Sequence, residues 1–348
     1  MAQHRRAVTL EVVAERAGVS MKTASNAVNG TGRMAPATRE RVVAVVEELG
    51  YKVNVAARNL TRGRTGMVSL AVPTLKAAYL AELAEAVIEA GRQRDLGVYV
   101  TTYPDDGLRG SRSYLEAFNT HQSDGLLLSM AESEELSADD LDVAFPLVCL
   151  GSRSTFGKAD RVATDDLIDA HTAADHLYAR GSTTLAVVGA HAPLNPTAIA
   201  RADEGNAELR LRGIMAAATA AGRTIDPRLV GVTGYDWTIG SGFRAARAII
   251  DAGVPFDGLV CLNDGLAIGA ISALRESGLR VPEDVQVIGF DDIDEAAFLS
   301  PPLTTMDSRI EWIANTALDR LIARIDSGPQ GAADLIARSR LVSRGTTR

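Results

Sequence analysis

From Met67 onward, short apolar runs of strand length alternate with longer stretches of helical periodicity, and this alternation constrains the fold more than any other feature of the chain. In order come MVSLAV, a helical stretch at 77–94, GVYVTT, a helix near 111–120, then GLLLS and PLVCL. A second set follows: a helix at 167–179, TLAVVGA, helices at 207–221 and 240–252, GLVCL, a helix at 266–276 and VQVIGF. Such alternation predicts parallel sheet covered by helices. Two sets within 348 residues predict an α/β body of two lobes, with room for a small additional head.

The first 65 residues do not follow that alternation. Leu10, Val13, Ala14 and Ala17 fall at helical spacing, Thr9 is placed to cap the first amides, and Gly18 suits a left-handed C-terminal turn. Ser20 then caps a second helix over 21–28 that buries Ala24 and Val28 and turns Met21, Lys22, Ser25 and Asn26 outward. A third helix opens at Pro36, runs through Val42, Val45, Val46 and Leu49, and stops at Gly50. The first two helices form a helix-turn-helix, whose second helix enters a major groove of DNA. Charge agrees with this division. Eleven basic against five acidic residues through Thr65 give an excess of +6 in a chain whose net charge is −8, so the remainder carries −14. A basic head on an acidic body confines attraction for phosphate to one place.

Several linked motifs tie head and body together. The head carries AxxAGVSxxTxS at 14–25, Asn29 followed by Gly30, TRERV from Thr38, ELGY from Glu48 and a tail at 54–60. The body carries LNDGLAIGA from Leu262, VIGFDD from Val287 and PPLTT from Pro301. Together these resemble the lactose and galactose repressor family of bacterial transcription factors, over most of the chain. The resemblance implies a helix-turn-helix head at 1–53, a hinge helix and linker at 54–65, and a periplasmic-binding-protein-like body at 66–348 that binds an effector and dimerises. It also implies three crossings between lobes, near Thr164, Asp292 and Asp326. One lobe then takes 66–164 and 293–325, the other 165–292 and 326–348, with the ligand between them at the carboxyl ends of strands.

Base reading falls to Met21, Lys22, Ser25 and Asn26. Lysine donates to guanine O6 and N7, asparagine bridges adenine N6 and N7, and methionine touches a thymine methyl. Thr23, Asn29 and the backbone amides near Thr9 and Ser20 grip phosphates and set the register. The stretch at 54–60 is apolar on one side yet too short to be a stable helix alone, so it is expected to fold when two copies pack together on DNA. In the family this hinge helix wedges a leucine into the minor groove. The resemblance puts Leu60 in that role, with Asn54 opening the hinge and Ala57 and Arg58 beside the wedge. A contact of Leu60 with the body is the alternative. Family members usually carry arginine where Asn26 stands, aspartate at Val12, serine near Ala35 and often proline at Val53, so the operator read by this chain is expected to differ.

Within the body, the resemblance implies that Asp264 accepts hydrogen bonds from effector hydroxyls, that Arg210 is a forked donor and that Trp237 stacks on the ligand, with Lys76, Tyr79 and Arg153 facing the same cleft. Residue pattern alone leaves Asp264 equally suited to a helix N-terminus, Arg210 to an ion pair and Trp237 to the core. Gly151 stands where many sugar-binding relatives place an aspartate, and the loop at 191–206 is long for the family, so a remodelled pocket is expected. A sugar or sugar derivative suits this set, and a nucleoside or sugar phosphate is compatible.

Catalysis finds little purchase in the sequence. It lacks a G-x-S-x-G elbow and a phosphate loop, and its five histidines lack metal-ligand spacing. The acid pairs Asp165-Asp166 and Asp291-Asp292 fall at strand ends, where capping and turns explain them as well as catalysis does. No enzyme, metal site or cofactor is expected. Cys149 and Cys261 sit in apolar runs and read as core thiols. MAQHRRAVTL has no apolar signal core, and no apolar run reaches the roughly 18 residues of a membrane span. The expected location is therefore the cytoplasm, against a periplasmic sugar-binding protein as the competing class. The expected protein is a homodimeric repressor of a palindromic operator, switched by a ligand in its cleft.

Overall fold

The computed structural model describes residues 8–28, 30–51, 64–104, 110–134, 136–328 and 330–348. The chain divides into two compact units, Met1–Thr65 and Gly66–Arg348.

The described part of the first unit contains three helices, α1 (Leu10–Ala17), α2 (Met21–Val28) and α3 (Pro36–Leu49). Thr9 Oγ1 accepts the amide of Val12 to cap α1, and Gly18 and Gly50 end α1 and α3 with φ of 65° and 60°. Pro36 opens α3 behind Ala35, which offers no side-chain cap. Val13, Ala14, Ala17, Ala24, Ala27, Val42 and Val45 are buried together as the core. Val28, expected inside, is half-buried at its edge. The step that keeps a side chain facing α1 and α3 runs from Ala24 to Ala27, three residues on.

The second unit begins with β1 (Met67–Val72), α4 (Ala78–Arg92), β2 (Gly97–Thr102), α5 (Gly110–Ala117), β3 (Leu126–Ser129), β4 (Leu147–Leu150), β5 (Asp160–Thr164) and α6 (Asp166–Ala179). There follow β6 (Leu185–Ala190), α7 (Pro196–Ile199), α8 (Asn206–Ala220), β7 (Val230–Val232), α9 (Ile239–Asp251), β8 (Gly258–Cys261) and α10 (Asp264–Glu276). Last come β9 (Gln286–Asp291), α11 (Asp294–Phe298), β10 (Thr304–Asp307), α12 (Ile310–Ser327), β11 (Asp334–Ala337) and β12 (Arg340–Val342).

These strands build two sheets. The first, ordered β11-β5-β4-β3-β1-β2, is parallel throughout. The second, ordered β12-β10-β9-β8-β6-β7, is parallel except for β12, which runs antiparallel to β10. In the first lobe, Val68, Leu70, Leu127 and Val148 pack on Leu83 of α4 and Leu318 of α12, while Ala71, Leu126, Leu128 and Cys149 face Leu115 of α5. Both faces are covered, which is why these strands read as continuous apolar runs. The second lobe gathers Val187, Val260, Ile288 and Phe290 with the apolar sides of α6, α8, α9 and α10 into one core.

Two of the three crossings lie later than expected. β10 pairs with β9, so 293–307 belong to the second lobe rather than the first. β11 pairs with β5, so the first lobe extends through Ala337. The chain therefore passes between sheets after Thr164, between β10 and α12, and between β11 and β12. The physical reason is edge pairing: β9 and β5 each present open backbone groups that β10 and β11 satisfy. The strands β10, β11 and β12 and the eighteen-residue helix α12 lie beyond VIGF, the last strand that the apolar runs predict. Cys149 and Cys261 are both fully buried. Among the described residues, no helix is long and apolar enough to cross a membrane.

Candidate functional site

In the head, Met21 and Lys22 are exposed on the first turn of α2, Met21 at 54% of its surface. Ser20 Oγ accepts the amide of Thr23 at 3.1 Å and shares a 2.9 Å hydrogen bond with the Thr23 hydroxyl, so this pair fixes the start of the helix. Ser25 and Asn26 are half-buried. Asn26 does not project freely as expected. Its Oδ1 accepts from the Thr31 hydroxyl at 3.5 Å, and Gly32 approaches so closely that a Cβ there would lie 2.6 Å from Asn26 Nδ2. The asparagine is thus drawn onto the turn after α2, and the outward chemistry concentrates at Met21 and Lys22. Asn29, Asn54, Ala57, Arg58 and Leu60 lie outside the described residues.

In the body, a cleft of about 330 Å³ opens between the two sheets. Thr74, Ser129, Gly151 and Thr164 reach it from the carboxyl ends of first-sheet strands, and His191, Asn263, Asp291 and Ser308 from those of the second. Lys76, Tyr79, Arg210 and Trp237, all expected there, line it as well. Arg210, on α8, is 7% exposed. Its Nε donates to Asp166 Oδ1 at 2.6 Å, its Nη1 donates to the Leu262 carbonyl, and the guanidinium lies 4.5 Å from the Phe290 ring centre. Asp166 also accepts from the Ser152 hydroxyl. Trp237 donates its indole Nε1–H to the Gly189 carbonyl at 2.9 Å. His191 stands 4.5 Å from the Tyr235 ring and 5.6 Å from Trp237, which makes a tilted aromatic wall.

The carboxylates set the electrostatics. Burial pushes Asp291 up to about 6 against the opposing pull of Arg210, and pushes Glu132 up to about 7 against that of Arg153. Burial also raises the Tyr79 phenol. Asp291 sits in left-handed backbone at φ 106°, a conformation costly for a non-glycine residue, and Ser308 Oγ donates to its Oδ1 at 3.2 Å. Asn206 Oδ1, buried at the cleft, has no hydrogen-bond partner. The wall therefore offers an aromatic face, a neutralised arginine and several acceptors, which suits a ligand rich in hydroxyl donors.

Two expectations fail. Asp264 is wholly buried and turns away from the cleft into the second lobe. Its Oδ2 accepts the Ile293 amide at 3.1 Å and its Oδ1 the Thr305 hydroxyl at 2.7 Å, so it ties the start of α10 to β10. The preceding Asn263 lines the cleft instead. Its Oδ1 accepts the Leu266 amide at 2.7 Å and its Nδ2 donates to the Trp237 carbonyl at 3.2 Å. An asparagine before a helix is a cap signal, which places 263 at the open strand end and 264 inside the first turn. Arg153 also stands off the cleft and pairs with Glu132 at 3.3 Å and Glu204 at 3.6 Å. Asp166, Asp291, Glu132, His191 and Tyr235 were not singled out as ligand contacts from the sequence. For the first two the signal was present as acid pairs at strand ends, which turn chemistry explained equally well.

Comparison with known proteins follows the same division. Residues 9–54 match the family described as "Bacterial regulatory proteins, lacI family", and residues 174–347 match a "Periplasmic binding protein-like domain". The chain is 30% identical over 319 residues to the ribose operon repressor of Escherichia coli (strain K12), across 91% of this chain and 93% of that protein. Its fold is similar to that of the Lac repressor dimer bound to operator and the anti-inducer ONPF, with a TM-score of 0.82, 26% identity and coverage of 98% and 99%. It is also similar to the transcriptional regulator CelR in its cellobiose complex, with a TM-score of 0.68, 28% identity and coverage of 97% and 99%.

Proposed function

The chain belongs to the lacI family of bacterial regulatory proteins, and from that premise we propose a homodimeric repressor that binds a palindromic operator and is released or recruited by a small molecule in the cleft of its body. One observation carries this reading: a helix-turn-helix head and a ligand-sized cleft at the carboxyl ends of parallel strands occur in one chain.

On DNA, Met21 and Lys22 read bases, with Ser25 and Asn26 at the margin of the reading face. Thr23, Asn29 and the backbone amides near Thr9 and Ser20 hold phosphates, and Asn54, Ala57, Arg58 and Leu60 supply the hinge, with Leu60 in the minor groove. Such a protein works where the chromosome is, in the cytoplasm, and none of these roles makes or breaks a covalent bond.

The effector is a sugar or sugar derivative. Trp237, Tyr235 and His191 provide a stacking wall, Asp291, Asn263 and Asn206 provide acceptors, and Lys76 and Tyr79 close the side belonging to the first lobe. The names of the ribose operon repressor and of the CelR–cellobiose complex point the same way. A nucleoside is the second reading, favoured by the same aromatic wall. Selection of operator sites from random duplex DNA, then a thermal-shift screen of sugars and nucleosides, tests both levels. Operator affinity should fall steeply with salt. A compound that stabilises the body without changing operator affinity would break the proposed link between cleft and DNA.

A further inference from the structure

Residues 204–206 of the second lobe reach across to the first lobe beside the cleft. The Gly205 amide donates to the Ser152 carbonyl at 3.2 Å, and the Asn206 amide donates to Glu132 Oε2 at 3.3 Å. Glu204 Oε2 accepts the Ser154 amide at 2.7 Å, and its Oε1 lies 3.6 Å from Arg153 Nη1. Arg153 in turn donates to the Glu132 carbonyl and stands 3.3 Å from the Glu132 carboxylate. Gly205 suits the turn through its φ of 85°, which strains any residue with a Cβ, whereas a Cβ itself would meet the movable end of Glu208 at 2.4 Å and Glu132 Oε2 at an ordinary 3.6 Å. The strap is also braced from below, since Arg212 Nη1 donates to the Ala202 carbonyl at 2.7 Å.

We propose that this strap is an inter-lobe latch: Glu204, Gly205 and Asn206 clasp Ser152, Arg153, Ser154 and Glu132 and hold the cleft closed before any ligand arrives. Its Gly205–Ser152 bond joins two backbone groups and costs no rotamer freedom, while the Ser154 and Asn206 amides each fix one glutamate side chain. The Arg153–Glu204 pair is only 19% and 36% exposed, so solvent screens it less than a surface pair. Because the contacts converge on three consecutive residues, separating the lobes breaks them together. The same clasp orients the Glu132 carboxyl on the cleft wall. Glu204 and Arg153 are therefore positioning residues, set apart from the ligand. The latch rests on the reading of the cleft as the regulator's ligand site.

The test measures lobe separation in the full chain with no effector and no DNA. Cys149 and Cys261 are buried, so spin labels attach at Glu116→Cys and Ala220→Cys, exposed positions on α5 and α8. Labelled chain is diluted with excess unlabelled chain so that each measured pair lies within one protomer. Glu204→Ala, Arg153→Met and Gly205→Ala should each shift the mean distance to longer values. The double variant Arg153→Met/Glu204→Ala should shift no further than the larger single change, because one device has already been opened. Glu204 is part-exposed and can be removed without emptying a core, so Glu204→Ala carries the test if Gly205→Ala does not fold. An unchanged distance in Glu204→Ala overturns the latch and leaves the regulator reading standing. Absence of operator binding by the unaltered chain overturns the regulator reading, and with it the latch's place beside an effector site, whatever the distances show.

Discussion

Met21 and Lys22 are neighbours on one turn of α2 and point outward, whereas the cleft draws on residues as far apart as Thr74 and Ser308. The head's groups are exposed and make few internal bonds. Those of the cleft, such as Arg210 and Asp166, are bonded to one another and buried. In the head, recognition chemistry and stability are therefore separable, while in the cleft one substitution changes both.

The largest expected effect comes from Arg210→Met. It leaves the Asp166 carboxylate buried without its cation, and urea unfolding of the body should show a loss of about 3–5 kcal/mol. Lys22→Ala should change stability by no more than about 0.5 kcal/mol while weakening operator binding by about 1–3 kcal/mol. Equal stability losses in the two variants would erase the contrast between the regions.

Asp264→Ala sharpens the comparison within the body. With Asp264 facing away from the cleft, the variant leaves the Ile293 amide and Thr305 hydroxyl without their acceptor, and denaturation should show a loss of about 1–3 kcal/mol. Unchanged stability together with loss of effector response would return this residue to the cleft.

The pH response should belong to the body. Burial holds Asp291 up at about 6 and Glu132 at about 7, so the folded chain keeps protons that an unfolded one releases near pH 4. The unfolded state then binds fewer protons, and the stability these groups contribute, full below about pH 4, is lost as pH rises to about 7. Asp291→Asn should flatten its share of that slope between about pH 4 and 6 in calorimetric melts. An unaltered slope would mean that the carboxyl ionises freely.

The smallest effect lies in the head. Ala35 precedes α3 without a side-chain cap, so Ala35→Ser should raise its stability by up to about 1 kcal/mol, read as a higher melting temperature of the head.

Much of this was legible in the sequence where the physics is local. Gly18, Pro36 and Gly50 mark helix ends because left-handed φ and a missing amide proton act within a residue or two. Apolar runs announced the inner strands for the same reason. Asn26 departs from helical spacing because its partner, the turn at Thr31 and Gly32, lies outside the helix. Asn263 rather than Asp264 faces the cleft because one residue at a strand-to-helix turn reverses the direction of the side chain.

Residue pattern alone carried the basic helix-turn-helix and the alternating α/β body, while the cleft positions of Arg210 and Trp237 followed only from the family resemblance. The packed chain decided that β10 and β11 complete sheets across the crossings, that Asp166 pairs with Arg210, and that Glu204 reaches Arg153. Strand edges and buried charges take whichever partner the packed chain brings within hydrogen-bond reach, and that choice is set by the whole fold, not by neighbours in sequence.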